Sequence, residues 1–196
     1  MRINVIYAHP SDGSFNAAIH RTVVDTLARA GHEVRDFDLY ARGFEPRLSA
    51  AEHGAHYAQG ENEAPVQEYV DALRWAEALV FVFPTWWYGV PAILKGYLDR
   101  VWLPGVAFHL PADGGRIQPG LTNIRKLAVV TTHGAPWWFM KLWMREPGKA
   151  VFMRGLKPLL ARGCRTVHMA HPSMDKSTPD SRGRFLRKVE KTFSGF

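Results

Sequence analysis

The chain has 196 residues, 46% of them hydrophobic, which supplies one domain spanning residues 1–196 with a full core. Its single cysteine, Cys164, excludes an internal disulfide and any multi-cysteine metal site, and no stretch approaches the roughly 18–20 apolar residues of a membrane span. The formal charge of +7 is local: residues 141–196 hold 13 Lys or Arg against 4 Asp or Glu, an excess of +9, leaving 12 against 14, or −2, for residues 1–140.

Ile3 to Ala8 reads as a short buried strand, followed by a loop from His9 to Asn16 and a helix with Ile19, Val23, Leu27 and Ala30 on one face. Gly31 closes that helix. From His32, HEVRDFDLY alternates imperfectly through Val34, Phe37 and Leu39, the pattern of a strand near a sheet edge. Residues 41–64 are polar, with Pro46, Gly54 and Gly60. They read as an excursion rather than a linker, because regular patterning resumes with a helix over Val66 to Glu77. Leu79 to Phe83 is continuously apolar, as in a strand covered on both faces, and Pro84 ends it. After Thr85, Trp86, Trp87, Tyr88 and Gly89, helical spacing begins near Val90 with Ile93, Leu94, Tyr97, Leu98, Val101 and Trp102; Lys95 and Asp99 form an i,i+4 pair on another face.

Gly114, Gly115, Pro119 and Gly120 mark residues 105–124 as a small excursion or hairpin. Lys126 to Thr132 is another buried strand, interrupted by His133, Gly134, Ala135 and Pro136, which lead into the aromatic run PWWFMKLWM. A helix is predicted around Ala150 to Ala161, shortened or kinked at Pro158. Arg165 to Ala170 supplies a fifth strand. Pro179 sits in the first turn of a last helix carrying Phe185, Leu186, Val189 and Phe193. Five strands alternating with helices predict an α/β, flavodoxin-like three-layer fold: a parallel sheet in order 2-1-3-4-5 with helices on both faces. That order gathers three carboxyl-end loops at one crevice: His9 to Asn16, Pro84 to Tyr88, and Thr131 to Pro136.

The first loop offers Ser11, Gly13, Ser14 and Asn16 beside a helix start, a seat for phosphate oxygens. It has neither GxGxxG nor the lysine of a P-loop. Ser14 is equally suited to capping the helix, and His9 to packing within the loop. In the second loop Trp86, Trp87 and Tyr88 would be ordinary packing residues elsewhere; at a strand end they can hold a flat conjugated ring. His133 and Tyr88 could donate to a reducible oxygen or stabilise developing negative charge, or could serve as structural hydrogen-bonders. The basic residues of the last helix, Arg182, Arg184, Arg187, Lys188 and Lys191, read as a solvated face, with attraction of an anionic dinucleotide as the sharper alternative. No nucleic-acid reader motif or aromatic–basic repeat accompanies them.

With the residues in this order, the chain resembles the NAD(P)H:quinone oxidoreductase family of flavodoxin-like flavoproteins, often called DT-diaphorase-like. The resemblance is carried by AHP at Ala8, SFN at Ser14 and FPTWWYGVPAILKGYLDRVW from Phe83, with VVTTHG at Val129 and STPDSRGRFLRKVEK near the end in support. It implies a flavin, FAD slightly favoured over FMN, with NAD(P)H as reductant and a quinone or similar small electrophile as acceptor. Hydride would pass through flavin N5 in two half-reactions. His9, Ser14, Phe15 and Asn16 would surround the flavin phosphate or pyrophosphate. Pro84, Thr85, Trp86, Trp87 and Tyr88 would hold the ring, and Thr131, Thr132, His133 and Gly134 would border its other edge. Better-characterised members follow the TT pair with a second glycine, then a Tyr and a His implicated in charge relay; here HGAPWWFM stands instead. The expected proton donors are therefore His133 and Tyr88, under a more apolar substrate roof of Trp137, Trp138 and Phe139. The resemblance further implies a homodimer, with residues 41–64 and 136–143 as candidate surfaces. The expected setting is the cytoplasm, without nucleic acid, metal or membrane insertion. Two alternatives carry the same fold: an electron carrier, and a regulatory redox subunit with a peripheral membrane partner.

Overall fold

A strand that is apolar at every position requires cover on both faces, and the fold supplies it. The computed structural model describes residues 1–111 and 113–196. In chain order its strands are β1 (Arg2–Tyr7), β2 (Glu33–Asp38), β3 (Ala78–Pro84), β4 (Phe108–His109), β5 (Gln118–Pro119), β6 (Lys126–Thr132) and β7 (Arg165–His171). Its α-helices are α1 (Phe15–Arg29), α2 (Ala50–Gly54), α3 (Gln67–Trp75), α4 (Ala92–Val101), α5 (Pro147–Ala150) and α6 (Pro179–Phe193). The main sheet is parallel throughout, in order β2-β1-β3-β6-β7, which is the expected 2-1-3-4-5 among its own five strands. The chain has a flavodoxin-like fold. β2 lies at the edge its broken alternation predicts, with only Phe37 of its residues buried.

Side chains alternate across β3, so one strand serves two cores. Val80 and Val82 join Val5, Tyr7, Ile19 and Leu27 on the face covered by α1 and α6. Leu79, Phe81 and Phe83 meet Leu73, Leu94 and Tyr97 on the face covered by α3 and α4. The Phe81 ring lies 4.8 Å from that of Phe152 and 6.5 Å from that of Tyr97. Complete burial of such a side chain contributes roughly 1.5–3 kcal/mol. The basic side of α6 faces outward, with Arg184, Arg187, Lys188 and Lys191 exposed.

The polar stretch 41–64 is folded against the body. Ser49 and Glu52 form a reciprocal cap on α2. The Arg100 Nε–H donates to Glu52 at 2.7 Å, Arg74 pairs with Glu63 through contacts of 2.6 and 2.7 Å, and Asn62 donates to the carbonyls of His56 and Pro104 at 2.9 and 3.1 Å. Residues 105–124 contain the expected hairpin, with Phe108 opposite Pro119. The region around Ala150 to Ala161 departs from the single helix expected: α5 passes into a π-helical stretch at Val151–Leu156 and then a 3-10 turn at Lys157–Leu159. Pro158 has no N–H to give and its ring crowds the preceding turn, so the regular i→i+4 ladder cannot run through.

Gly96 is the contact point between α4 and the 41–64 excursion. A Cβ placed there would lie 2.2 Å from the Pro46 carbonyl oxygen and 2.4 Å from its Cα. Gly96→Ala is expected to destabilise the protein by about 1–3 kcal/mol, the usual cost of overpacking against backbone. Urea unfolding measures it, and a change below about 0.5 kcal/mol would mean the excursion lifts away freely.

Candidate active site

The carboxyl ends of β1, β3 and β6 lie side by side, which is where open parallel sheets bind ligands. Short bonds stitch the three following loops together. The Thr85 amide donates to the Thr132 carbonyl at 2.7 Å, and the Thr85 and Thr131 hydroxyls are 2.9 Å apart. The Asn16 amide nitrogen donates to the Thr132 hydroxyl at 2.8 Å, and the His9 and Trp86 rings are 5.9 Å apart.

In the first loop, Ser14 caps α1: its hydroxyl accepts from the Ala17 amide at 3.0 Å. The Phe15 and Asn16 amides open the helix ahead of its first internal carbonyl partner, the arrangement that attracts anions. The Phe15 side chain turns away into the core, 5.3 Å from the His171 ring and 6.1 Å from that of Phe185, leaving its backbone to serve the crevice. Asn16 is buried, and its carbonyl oxygen Oδ1 has no partner among the described residues. His9 Nδ1 accepts from the Ser11 amide at 3.0 Å, so the neutral ring carries its hydrogen on Nε2; burial pushes its pKa below the ordinary histidine value.

The second loop is an unusually tight turn for its residues. Trp86 and Gly89 exchange N–H···O bonds of 3.2 and 3.0 Å, which forces Trp87 and Tyr88 to φ values of 48° and 63°. Hairpin turns with two positive φ angles normally use Asn and Gly, and bulky residues there cost on the order of 1–3 kcal/mol each. The Trp87 indole, 94% exposed, gains almost no burial in return.

In the third loop Thr131, Thr132 and His133 are buried. The His133 amide donates to the His171 carbonyl at 3.0 Å, and His133 Nδ1 lies 2.7 Å from the Ala135 carbonyl oxygen. A carbonyl only accepts, so the hydrogen sits on Nδ1 and Nε2 of the neutral ring is an acceptor. Burial lowers the His133 pKa, which keeps the ring neutral near pH 7. In this tautomer Nε2 donates only after the ring has taken up a proton. Tyr88 retains its hydroxyl.

The second and third loops enclose an open cleft of about 210 Å³ lined by Thr85, Trp87, Tyr88, His133, Gly134 and Met140, among others, while His9, Ser14, Phe15 and Asn16 stand outside that lining. Trp137 and Trp138, 60% and 52% exposed, stand outside that lining in the single chain, and Met140 lies where they were expected. Met140 belongs to a π-helical turn, Phe139–Trp143, a local geometry common at functional sites. Behind the cleft, Glu146, Lys149 and His168 close a cavity of about 20 Å³. Sequence reasoning missed these residues. The available signal was Pro147, a residue suited to the first turn of a helix, which marks Glu146 as the residue at which α5 begins. A larger hollow of about 530 Å³ lies by Met1, Arg125, Lys126 and Arg165, at the amino ends of the strands and away from the three loops.

A family model for proteins of flavodoxin-like fold matches residues 1–150. The chain belongs to this family. Within it, the likeness to NAD(P)H:quinone oxidoreductases holds. The ribosyldihydronicotinamide dehydrogenase [quinone] of Pongo abelii is 35% identical over 158 residues, covering 71% of this chain and 67% of that enzyme. The chain spans a smaller share, 54–64%, of several other curated relatives. Smu.1420 from Streptococcus mutans superposes with a TM-score of 0.86 at 32% identity over 100% of both chains. The FMN-dependent NADH-azoreductase of Bacillus anthracis, solved in complex with FMN, shares the fold at a TM-score of 0.80 and 16% identity, covering 100% of this chain and 99% of that one.

Two outcomes follow from this flavodoxin-like site. Trp87→Gly relieves a left-handed non-glycine residue at the cost of glycine's greater unfolded-state freedom, so stability should hold or rise by about 1 kcal/mol in thermal unfolding. A fall of more than about 1 kcal/mol would show that the exposed indole supports the fold. His9, His133, His168 and His171 all have pKa values lowered first by burial. Below the ordinary histidine value of about 6.5 the unfolded chain therefore binds more protons than the folded one. Stability should be complete above that pH and decline as pH falls toward the lowered folded values. Urea midpoints at pH 7.5 and 5.5 test the sign.

Proposed function

We propose that this chain is a flavin-dependent NAD(P)H oxidoreductase that reduces quinones or related two-electron acceptors. The observation that carries the reading is a cleft walled by an aromatic loop and a polar loop, with the helix N-terminus of the first loop tied to the same strand end through the Asn16–Thr132 hydrogen bond. The name of the Pongo abelii relative gives a dihydronicotinamide as reductant and a quinone as acceptor, and the Bacillus anthracis structure holds FMN on the same fold.

The residues present suit a flavin. Phosphate would rest on the Phe15 and Asn16 amides with the His9 Nε2–H nearby, and the unpartnered Asn16 Oδ1, which only accepts, would take a donor elsewhere on the flavin. Pro84 to Tyr88 and Thr131 to Gly134 would hold the ring from its two sides. When bound, the flavin supplies hydride acceptance and donation at N5, in two half-reactions sharing one site. The chain's own part is to orient that ring and manage the proton at His133 Nε2. FAD is taken ahead of FMN. The acting unit is the whole chain, 1–196, as one domain, since β7 completes the sheet beyond the family match. Exposed Trp137, Trp138 and Trp143 support a homodimer, because apolar patches of this kind usually meet a partner. No helix among the described residues is long and apolar enough to cross a membrane, and the free Cys164 suits the reducing cytoplasm.

Purified chain mixed with FAD or FMN should stay yellow after gel filtration at micromolar concentration, and chromatography of the released flavin distinguishes the two. Anaerobic NADH or NADPH should bleach the bound flavin and a quinone should restore its colour. Retention of neither flavin overturns the reading, and retention without bleaching turns it toward an electron carrier.

A further inference from the structure

Reduction of a quinone to a hydroquinone takes two electrons and two hydrogens. A reduced nicotinamide delivers both electrons and one hydrogen as hydride; the second hydrogen arrives as a proton from water. The voids behind the cleft trace a route for it. The cleft is bordered by Thr85, His133 and Met140, and the same three residues wall the cavity of about 20 Å³ that reaches Glu146, Lys149 and His168. That volume holds about one water molecule, with polar partners to bind it. On their other side Glu146 and Lys149 line a groove of about 100 Å³ together with Arg145 and Arg154, both exposed. Cleft, cavity and groove therefore share walls in series from the site to the surface.

The groups along this line can carry a proton. His133 Nδ1–H is committed to the Ala135 carbonyl, which leaves Nε2 as the acceptor. His168 Nδ1 is 3.9 Å from Glu146, whose other oxygen accepts from Lys149 Nζ at 2.8 Å. Glu146 is held at φ 51° beside Arg145 at 55°, left-handed angles that non-glycine residues keep only where the surroundings impose them. Burial disfavours charge on both His133 and His168, the Glu146 carboxylate favours it on both, and Lys149 and His133 each oppose it on His168. The pair thus accommodates one proton more readily than two. The remaining titratable neighbours are His171, on the opposite face of β7 with Arg182 beside it, and Asp175, whose carboxylate abuts Gly134.

We propose that Glu146, His168 and the water-sized cavity between them and the cleft form a proton-delivery path from the Arg145–Arg154 groove to His133, the last carrier. The proposal rests on the redox function given above. In each turnover a proton from solvent bonds to His133 Nε2, and that bond breaks as the proton joins the reduced acceptor. Both electrons and the other hydrogen come from the nicotinamide, which leaves oxidised.

The full chain tests this in two forms. In flavin-free protein, histidine NMR titrations should show Glu146→Gln lowering the midpoints of both His133 and His168, and Lys149→Met raising that of His168. Midpoints unmoved in both variants overturn the path while leaving flavin use intact. In flavin-loaded protein with saturating reductant and a quinone, Glu146→Gln should move the alkaline limb of the kcat profile to lower pH. His168→Asn should lower kcat roughly tenfold at unchanged KM, less than the full worth of acid–base catalysis because solvent still reaches the open cleft. A kcat profile matching the parent's in both variants overturns the proposal, and a parent chain that retains no flavin overturns the functional reading and the path together.

Discussion

Seven residue pairs, from Ala78 beside Lys126 to Pro84 beside Thr132, lock β3 to β6 at the centre of the sheet, and the site's geometry follows from that register. Both strands are apolar on both faces, so a slip of one residue would exchange the side chains of two cores and leave buried backbone groups unpaired. The ladder then meets Pro84, which has no N–H; the next amide, Thr85, closes it on the Thr132 carbonyl. From there β3's chain must leave at once, and β6's chain is held beside it. The positive φ angles of Trp87 and Tyr88 and the buried position of His133 are both consequences of strands ending level. β7 extends the same constraint outward: the His171 carbonyl takes the His133 amide, and the Ser173 and Met174 amides bond the Ala135 and His133 carbonyls. A rigid sheet margin therefore sets the third loop from two sides.

The electrostatic character of the site is set by burial more than by net charge. The excess positive charge of residues 141–196 is largely spread over exposed positions of α6 and the segment before β7, while the crevice itself is lined by neutral or nearly neutral groups. His9 and His133 illustrate how one physical cause yields two different tools. Both rings are kept neutral by desolvation, but the Ser11 amide fixes His9 with a donor at Nε2, whereas the Ala135 carbonyl fixes His133 with an acceptor there. A donor beside a helix N-terminus suits an anion; an acceptor behind the cleft suits a proton in transit.

Much of this frame was legible because its causes are local and periodic. Lys126 to Thr132 was bounded correctly from its continuous apolar run, Gly31 at φ 78° closes α1 as a C-terminal glycine should, and Pro179 opens α6. The edge position of β2 followed from its failure to alternate. The passage from α5 to the 3-10 turn was not legible, since a switch from π-helical to 3-10 geometry within Val151–Leu159 sustains no single period, and Phe152 is positioned by Phe81 and Phe83 from another element. Nor does anything in Trp-Tyr announce a left-handed turn; the sequence carries the wrong residues for it, and only the level strand ends demand it. The cavity residues were hidden for a third reason. Thr85, Thr131, His133, Glu146 and His168 come from two strand ends, the middle of β7 and a connection, and no pattern along the chain relates them.

The two left-handed pairs, Trp87–Tyr88 and Arg145–Glu146, are not independent. Gly148 sits between them: a Cβ at that position would lie 3.5 Å from the Tyr88 carbonyl oxygen, so the backbone following Glu146 packs directly on the aromatic turn. Strain of this kind persists only where neighbouring structure over-determines the backbone. Here each strained turn supplies part of the other's surroundings, with the sheet margin fixed beneath both. The cleft wall bearing Tyr88 and the cavity wall bearing Glu146 therefore share a packed backbone contact at Gly148. Tyr88, His133 and Glu146 are thus held on tight turns and a strand end, while His168 is fixed at the centre of β7 by its pairing beside Val129.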